Sequence, residues 1–405
     1  MLSGLRIVEY GEGITAPACA KYLADLGADV VKIEPPGRGD AARRREPFFH
    51  DCADEECSGL FLYLNTNKSG ITLDPSTATG RAIFLELVKS ADALIENHPP
   101  GHMKSLGMGY PALKKVNPLL VMTSITPFGQ TGPYRKYKGS DLIAFHMGGI
   151  GMDTPEEVED APNEPPLRGG GSQGHFLAAV TAGIATMGLL FGRHQTGKGG
   201  YLDISEYECL ADNTRHRAAQ YLSDGVVQRR SGGEAQKPGH FGAGGLQPCK
   251  DGYVQFHVAE THMWRAFARI LGKPEWGDDK RFAERYARSA NWSLAEPVLR
   301  AYTMAHTKEE IVRECQGARV PCAPVSQPRD LLASRHLRER GFFIEVDHPM
   351  TGKVAYPGAP AALSEGGWAI RRPAPLLGQH NEDILVGRLG YAKDDLPKLK
   401  AAGVI

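Results

Sequence analysis

No CxxC pair occurs in this chain, and its seven cysteines (Cys19, Cys52, Cys57, Cys209, Cys249, Cys315 and Cys322) are scattered and odd in number. That excludes a disulfide framework and the common zinc patterns, since His50 and Asp51 beside Cys52 and Cys57 fit no usual ligand spacing. Reduced thiols and no metal are expected. An excess of charge is also missing. Lys and Arg total 47, and Asp and Glu total 47, so there is no electrostatic case for nucleic acid or a membrane surface as partner. The apolar runs are short and interrupted by glycine, so no bilayer span is expected. No basic segment followed by an apolar core opens the sequence, which points to the cytoplasm. Repeats and low-complexity tracts are absent.

What is present is an ordinary globular composition, with 41% hydrophobic and 23% charged residues over 405 positions. That length suggests more than one domain. Strand patterns alternate with helix patterns from the start. A strand over 5–10 meets Gly11-Glu12-Gly13-Ile14-Thr15-Ala16. A helix from Pro17 to Leu26 follows, and then a strand over 29–34 ending in Glu34. The turn fits GxGxxA, and an acid some twenty residues on is where a dinucleotide fold holds its ribose. Glu34, however, runs into Pro35-Pro36-Gly37-Arg38 and the basic run Arg43-Arg44-Arg45. Those residues suit a phosphate-holding loop. The turn alone leaves NAD, a phosphate-bearing ligand such as coenzyme A, and a purely structural role open.

Further strands are expected over 70–73, 91–97, 119–125 and 201–204, with Asp74 opening a helix over 75–89. The class is α/β, with a largely parallel, doubly wound sheet. Ligands of such sheets bind beyond the carboxyl ends of the strands. Ile14, Asn97-His98 and Phe128-Gly129 fall at those ends. Arg135, Lys136 and Lys138 near Asp141 read as a solvated basic face. Three segments are expected: 1–225 as the first part of a large domain, 226–328 as a smaller α+β domain, and 329–405 returning to the large one. Gly242, Gly244 and Gly245, in a glycine-rich stretch at the start of the small domain, could form a lid or a linker. The run Pro165 to Gly174 ends at His175, directly before an apolar segment, Leu177 to Phe191, that reads as a buried helix.

Seven blocks spread over the chain resemble the class III CoA-transferase family, which contains formyl-CoA transferase and the carnitine and bile-acid CoA-transferases. They are LSGLRIVEY, LADLGADVVKIEPPGRGD, NTNKSGITLD, ADALIENHPPG, TSITPFGQTGP, TGKGGYLDISEYE and APLLGQHNEDIL. The resemblance implies a Rossmann-like large domain, a smaller α+β domain and an interlocked-ring dimer. It makes coenzyme A the ligand in place of NAD. By position it puts CoA along Gly13, Ile14, Arg38, Leu73, Asp74, Asn97, His98, Lys104 and Lys138, and it makes Gly242, Gly244 and Gly245 the glycine loop that shields the intermediate. Pro35, Ser76 and Ser105 stand where the family has basic residues.

The family's nucleophile is an aspartate in a Gly-Asp step, and the matching step here is Gly174-His175. In the family's cycle a carboxylate attacks the acyl-CoA thioester to form a mixed anhydride and release CoA. The CoA thiolate then attacks the enzyme's carbonyl to give an enzyme-bound thioester. An imidazole cannot hold CoA in that way, so His175 at the nucleophile's position is inactive in this cycle. The resemblance therefore implies a non-catalytic subunit of a hetero-oligomer, as in the benzylsuccinate-type CoA-transferases of aromatic degradation. Its partner would be a homologous chain bearing the aspartate, and succinyl-CoA a candidate donor. The other readings are a self-sufficient transferase using another acid (Asp141 or Asp153) or a ternary complex, an acyl-CoA enzyme with His175 as base, and an NAD-dependent oxidoreductase. Ser140 replaces the histidine that the family's racemases carry before Asp141, which argues against racemisation.

Overall fold

The computed structural model describes residues 1–155, 157–158, 163–227, 230–232 and 243–405. Its strands are β1 (Arg6–Tyr10), β2 (Asp29–Glu34), β3 (Lys68–Thr72), β4 (Ala93–Glu96), β5 (Val121–Thr126), β6 (Glu157–Val158), β7 (Gly200–Ser205), β8 (Ser231–Gly232), β9 (Ala243–Cys249), β10 (Gly252–Val258), β11 (Cys322–Pro324), β12 (Phe343–His348) and β13 (Gly352–Pro357). The larger unit comprises Met1–Thr154, Pro166–Gln228 and Arg338–Ile405.

Its centre is a six-stranded sheet in the order β3-β2-β1-β4-β5-β7, parallel at every pairing. Alternate residues of each strand feed two cores. Val8, Val31, Ile33 and Leu94 join one core, and Ile7, Val30, Ala93 and Ile95 join the other. Helices cover both faces, so most strand residues are buried, and those that are charged, such as Glu9, Lys32 and Lys68, are buried with them. The strand order reverses between β1 and β4, and parallel sheets of this kind bind ligands there, beyond the carboxyl ends.

The helix Thr15–Asp25 and the helix Gln173–Thr196 pack together on one face. Their contact is built of small residues: Ala16, Ala20 and Ala24 on the first, Ala178 and Ala182 on the second. The second helix is not buried all round, contrary to expectation. Ala178, Ala182, Thr186 and Leu190 recur every four residues on its inner side. Ile184 and Phe191, on the outer side, are 69% and 70% exposed. By length and composition it is also long and apolar enough to cross a membrane, which corrects the expectation drawn from run length. Its inner stripe nonetheless packs as a core helix does. The helix expected from Asp74 begins at Ala78, because Thr77 is the cap and accepts the Gly80 N–H.

The smaller unit comprises Pro155–Pro165 and Arg229–Leu337. Its sheet, β11-β10-β9, is antiparallel, and β10 buries every second residue (Val254, Phe256, Val258). These pack on Trp264, Phe267, Phe282 and Leu299. The sequence boundaries were 225/226 and 328/329. Residues 329–337 fall in the smaller unit because Lys308 pairs with Asp330 at 2.6 Å. Residues 155–165 join it because β6 pairs with β8 and Arg230 donates to the Glu164 carbonyl.

Candidate functional site

At the switch point the first turn is built around Asn97. Its Oδ1 accepts the Glu12 N–H at 3.0 Å, and its Nδ2 donates to the Glu12 carbonyl at 2.7 Å and to Thr15 Oγ1 at 2.9 Å. Gly11 is required here, because a Cβ would lie 2.6 Å from Asn97 Oδ1. Asp40 secures the other side of the turn. Its Oδ1 accepts the N–H groups of Gly13 (2.8 Å) and Ala42 (2.7 Å). The Gly13 N–H is therefore spent within the protein, and Ile14 is buried.

Beneath the turn lies a wholly buried ion network. Lys32 lies 2.7 Å from both Glu9 and Asp40, and Lys68 lies 2.7 Å from the other Glu9 oxygen. Burial pushes Lys32 down, but Asp40, Glu9 and Glu34 outweigh it and hold its pKa above the usual lysine value. Lys68 is pushed down to about 8, chiefly by burial and only partly offset by Glu9. Glu34, the acid that suggested a ribose contact, is saturated. Its oxygens accept Arg43 Nε at 2.7 Å, Arg43 Nη2 at 2.8 Å and the Asp40 N–H at 2.9 Å. A bidentate guanidinium leaves this carboxylate no face for a diol. Arg38 is exposed and pairs with Glu12 at 2.5 Å.

Next to the turn, rings stack. His98 lies 4.2 Å from Tyr10 and 4.4 Å from His102, centroid to centroid. Burial, with His102 and Arg38 adding to it, pushes His98 down to about 3, so the ring is neutral. Its Nε2 is buried without a hydrogen-bond partner among the described residues.

A cavity of about 860 Å³ lies against β4, β5 and β7, reached by Glu96 at the carboxyl end of β4, by Met122 and Ser124 within β5 and by Tyr201 near the amino end of β7. Lys104, Arg135 and Lys136 line it, with Tyr110, Tyr201, Ser124 and Glu96. The tyrosine rings stack at 5.4 Å. Burial raises Glu96 to about 7, against the opposing effect of the His98 N–H bonded to it at 2.7 Å. Of the predicted contacts, only Lys104 lines this cavity. A second cavity, of about 540 Å³, is lined by Gly37 and Thr72, chain neighbours of Arg38 and Leu73, and by Asn381 and Lys400. Leu73 itself is core, its N–H donated to the Glu34 carbonyl. Asp74 accepts the Ser76 N–H at 2.9 Å. Lys138 is exposed.

The helix Gln173–Thr196 connects the parallel strands β5 and β7, so its start must lie at the carboxyl edge of the sheet. The left-handed Ser172 (φ +56°) precedes it. His175 in its first turn is held twice. Its N–H donates to Asp141 Oδ1 at 3.1 Å, and its Nδ1 lies 2.9 Å from Glu206 Oε2. Both acids are buried. Gly174 permits this approach, since a Cβ there would lie 3.0 Å from Asp141 Oδ1. Asp141 also faces Arg168 at 3.4 Å. An Nδ1–H donated to Glu206 leaves Nε2 as a free acceptor. Ser140 caps the helix Asp141–Met147. Asp153 closes a backbone turn, and its side chain lies outside what is described.

Sequence reasoning missed Glu206, Glu96, Tyr110 and Tyr201, and it read Arg135 and Lys136 as a plain solvated face. The available signal was position: Glu96 and Glu206 each stand at the carboxyl end of a parallel strand. Two of the three glycines expected to form a loop lie in a strand. Gly244 and Gly245 are ladder residues of β9, paired with His257 and Phe256, because β10 supplies an antiparallel partner up to that point. Gly242 lies outside the described residues. No group of three or more His, Cys, Asp or Glu with metal-holding geometry occurs among the described residues.

The profile of CoA-transferase family III matches residues 2–381. The succinyl-CoA:(R)-benzylsuccinate CoA-transferase subunit BbsE of Thauera aromatica is 33% identical, over 100% of this chain and 98% of that protein. The succinyl-CoA–D-citramalate CoA-transferase of Chloroflexus aurantiacus is 32% identical, again over 100% of this chain and 98% of that protein. The crystal structure of a CAIB/BAIF family protein from Brucella suis superposes with a TM-score of 0.84 at 30% identity, covering 95% of this chain and 98% of that one.

Proposed function

The chain belongs to CoA-transferase family III, and from that premise we propose that it is the carboxylate-lacking subunit of a hetero-oligomeric CoA-transferase. Its donor is a succinyl-CoA-type thioester, and its acceptor is a carboxylic acid. The partner is a homologous chain whose Gly-Asp step supplies the nucleophile. One observation carries this reading: the side chain at the start of the long helix is an imidazole fastened to Glu206. Nothing at that position can become the acyl anhydride and then the CoA thioester.

Two further facts support a partner. The relative from Thauera aromatica is named as a subunit. The outer side of the helix Gln173–Thr196 leaves Val180, Ile184 and Phe191 uncovered, a stripe that a second chain in an interlocked dimer would bury. The bound ligand would be coenzyme A, along the carboxyl edge of the sheet.

The test is CoA exchange between succinyl-CoA and a panel of carboxylic acids, with new thioesters read by mass spectrometry. The chain alone is expected to be silent, and adding the Gly-Asp homologue is expected to start exchange. Ordinary exchange by the chain alone would overturn the proposal. It would favour a second reading, for which Glu206 is the supporting observation: a carboxylate stands within hydrogen-bonding distance of His175 and could act in place of the missing aspartate. A glutamyl-CoA adduct mapped to residue 206 would identify it.

A further inference from the structure

All seven cysteines are free, and Cys52 is the one that is exposed. It lies in a loop whose ends, Phe48 and Ser58, pair as an antiparallel bridge. Inside that bridge two cysteines are tied to one residue. The Phe49 N–H donates to the Cys57 carbonyl at 2.9 Å, and the Cys52 N–H donates to the Phe49 carbonyl at 3.3 Å. His50 and Asp51, with left-handed backbones (φ +58° and +53°), turn the chain back to make this closure. Side chains other than glycine rarely adopt that conformation, and it persists where surrounding bonds hold it. The closure brings two sulfurs together: the Cys57 thiol has the Cys52 thiol as its hydrogen-bonding neighbour.

The two thiols differ in access. Cys57 is 4% exposed, and burial, with Asp54, Cys52 and Glu56 adding to it, pushes its thiol up. Cys52 meets solvent. An accessible sulfur with a sheltered one beside it is the arrangement of an attacking and a resolving cysteine. His50, the other candidate ligand in this stretch, turns its Nε2 to the Thr351 carbonyl at 3.2 Å, so it does not join the two sulfurs. The loop is braced from outside as well. Glu56 accepts Arg43 Nη1 at 2.6 Å and the Leu377 N–H at 2.9 Å, and Glu55 lies 3.2 Å from Arg44.

We propose that Cys52 and Cys57 form a thiol–disulfide exchange site that takes a low-molecular-weight disulfide, such as glutathione disulfide, as its oxidant. The Cys52 thiolate attacks one sulfur of glutathione disulfide, forming a mixed disulfide and releasing one glutathione thiolate. Cys57 then gives up its proton, and its sulfur attacks that of Cys52. The Cys52–Cys57 bond closes and the second glutathione leaves. Two protein thiols are oxidised and one disulfide is reduced to two thiols, so atoms and electrons balance. The site uses neither His175 nor the cavity residues, and it is independent of the reading of the chain as a transferase subunit.

The test is equilibration of the reduced, folded full-length chain in glutathione buffers of graded ratio. Acid quenching, alkylation and mass mapping follow. Both cysteines fall on one tryptic peptide, 46–68. That peptide should appear lighter by two hydrogens and should recover with dithiothreitol. Half-oxidation should need at least about tenfold less oxidising buffer than for the same chain in urea, about 30 mV for this two-electron couple, because the folded loop holds the sulfurs together. Cys57→Ser should stop at the glutathione mixed disulfide on Cys52, and Cys52→Ser should leave Cys57 reduced. Cys315 and Cys322, whose thiols also adjoin but are 0% and 7% exposed, should stay reduced in the folded chain. Equal midpoints for folded and unfolded chain would overturn the proposal. So would a mixed disulfide that persists on Cys52 while Cys57 is present, or oxidation of Cys315 and Cys322 ahead of the loop pair.

Discussion

Two regions of the larger unit use their charges in opposite ways. Around the first turn, Glu9, Lys32, Asp40, Lys68, Glu34 and Arg43 are buried and neutralise one another. Around the cavity, where Glu96 is the acid in the lining, Lys104, Arg135 and Lys136 form no ion pair among the described residues. The first region carries the more familiar sequence motif, yet its polar atoms are already occupied. The second carries no motif and has its charges free. A motif therefore marks where a backbone must turn tightly, whereas a binding surface is marked by polar groups the protein has left unsatisfied.

Breaking the closed region should have the largest effect. Lys32→Met would leave the Glu9 and Asp40 carboxylates buried with one partner removed, and a loss of about 3–5 kcal/mol is expected. Urea unfolding measures it, and a loss below about 1 kcal/mol would show the network to be less closed than its geometry indicates. Glu96 sharpens the comparison from the open side. Its folded-state pKa, about 7, lies above the usual glutamate value. Its contribution is thus fully present below the unfolded pKa and is lost as pH rises through 7. Glu96→Gln should remove about 3 kcal/mol of that decline between pH 5 and 8. Parallel unfolding curves for wild type and variant across this range would refute the assignment.

Glu206→Gln should cost about 1–2 kcal/mol, the value of a charge-assisted bond to an imidazole. Nitrogen NMR of His175 should then show the ring no longer held in one tautomer. An unchanged spectrum would mean that the pair does not fix the ring. Arg38→Ala should have the smallest effect, under about 1 kcal/mol, because its pair with Glu12 is solvent-exposed.

Much of the fold was legible in the sequence. Short strand patterns alternating with helix patterns gave the parallel sheet, although the strands also carry buried charges such as Glu9, Lys32 and Lys68. Gly11 was legible as part of the first turn, but that a Cβ there would meet Asn97 only the structure shows. The outer face of the helix Gln173–Thr196 was misread. Composition shows how apolar a helix is, but only its neighbours show which side they cover.

The sequence by itself determined the α/β class, the strand edges where ligands gather, and the presence of an imidazole, not a carboxyl, at position 175. These follow from local periodicity and from the chemistry of single side chains. Only the tertiary structure decided that Glu34 is consumed by Arg43, that Glu206 holds His175, and that Lys104 faces the same cavity as Arg135 and Lys136. Each of these pairs is separated along the chain, by nine residues at the least and by more than thirty in the others. Which partner reaches a charged side chain first depends on the packing of whole elements, and no local pattern records it.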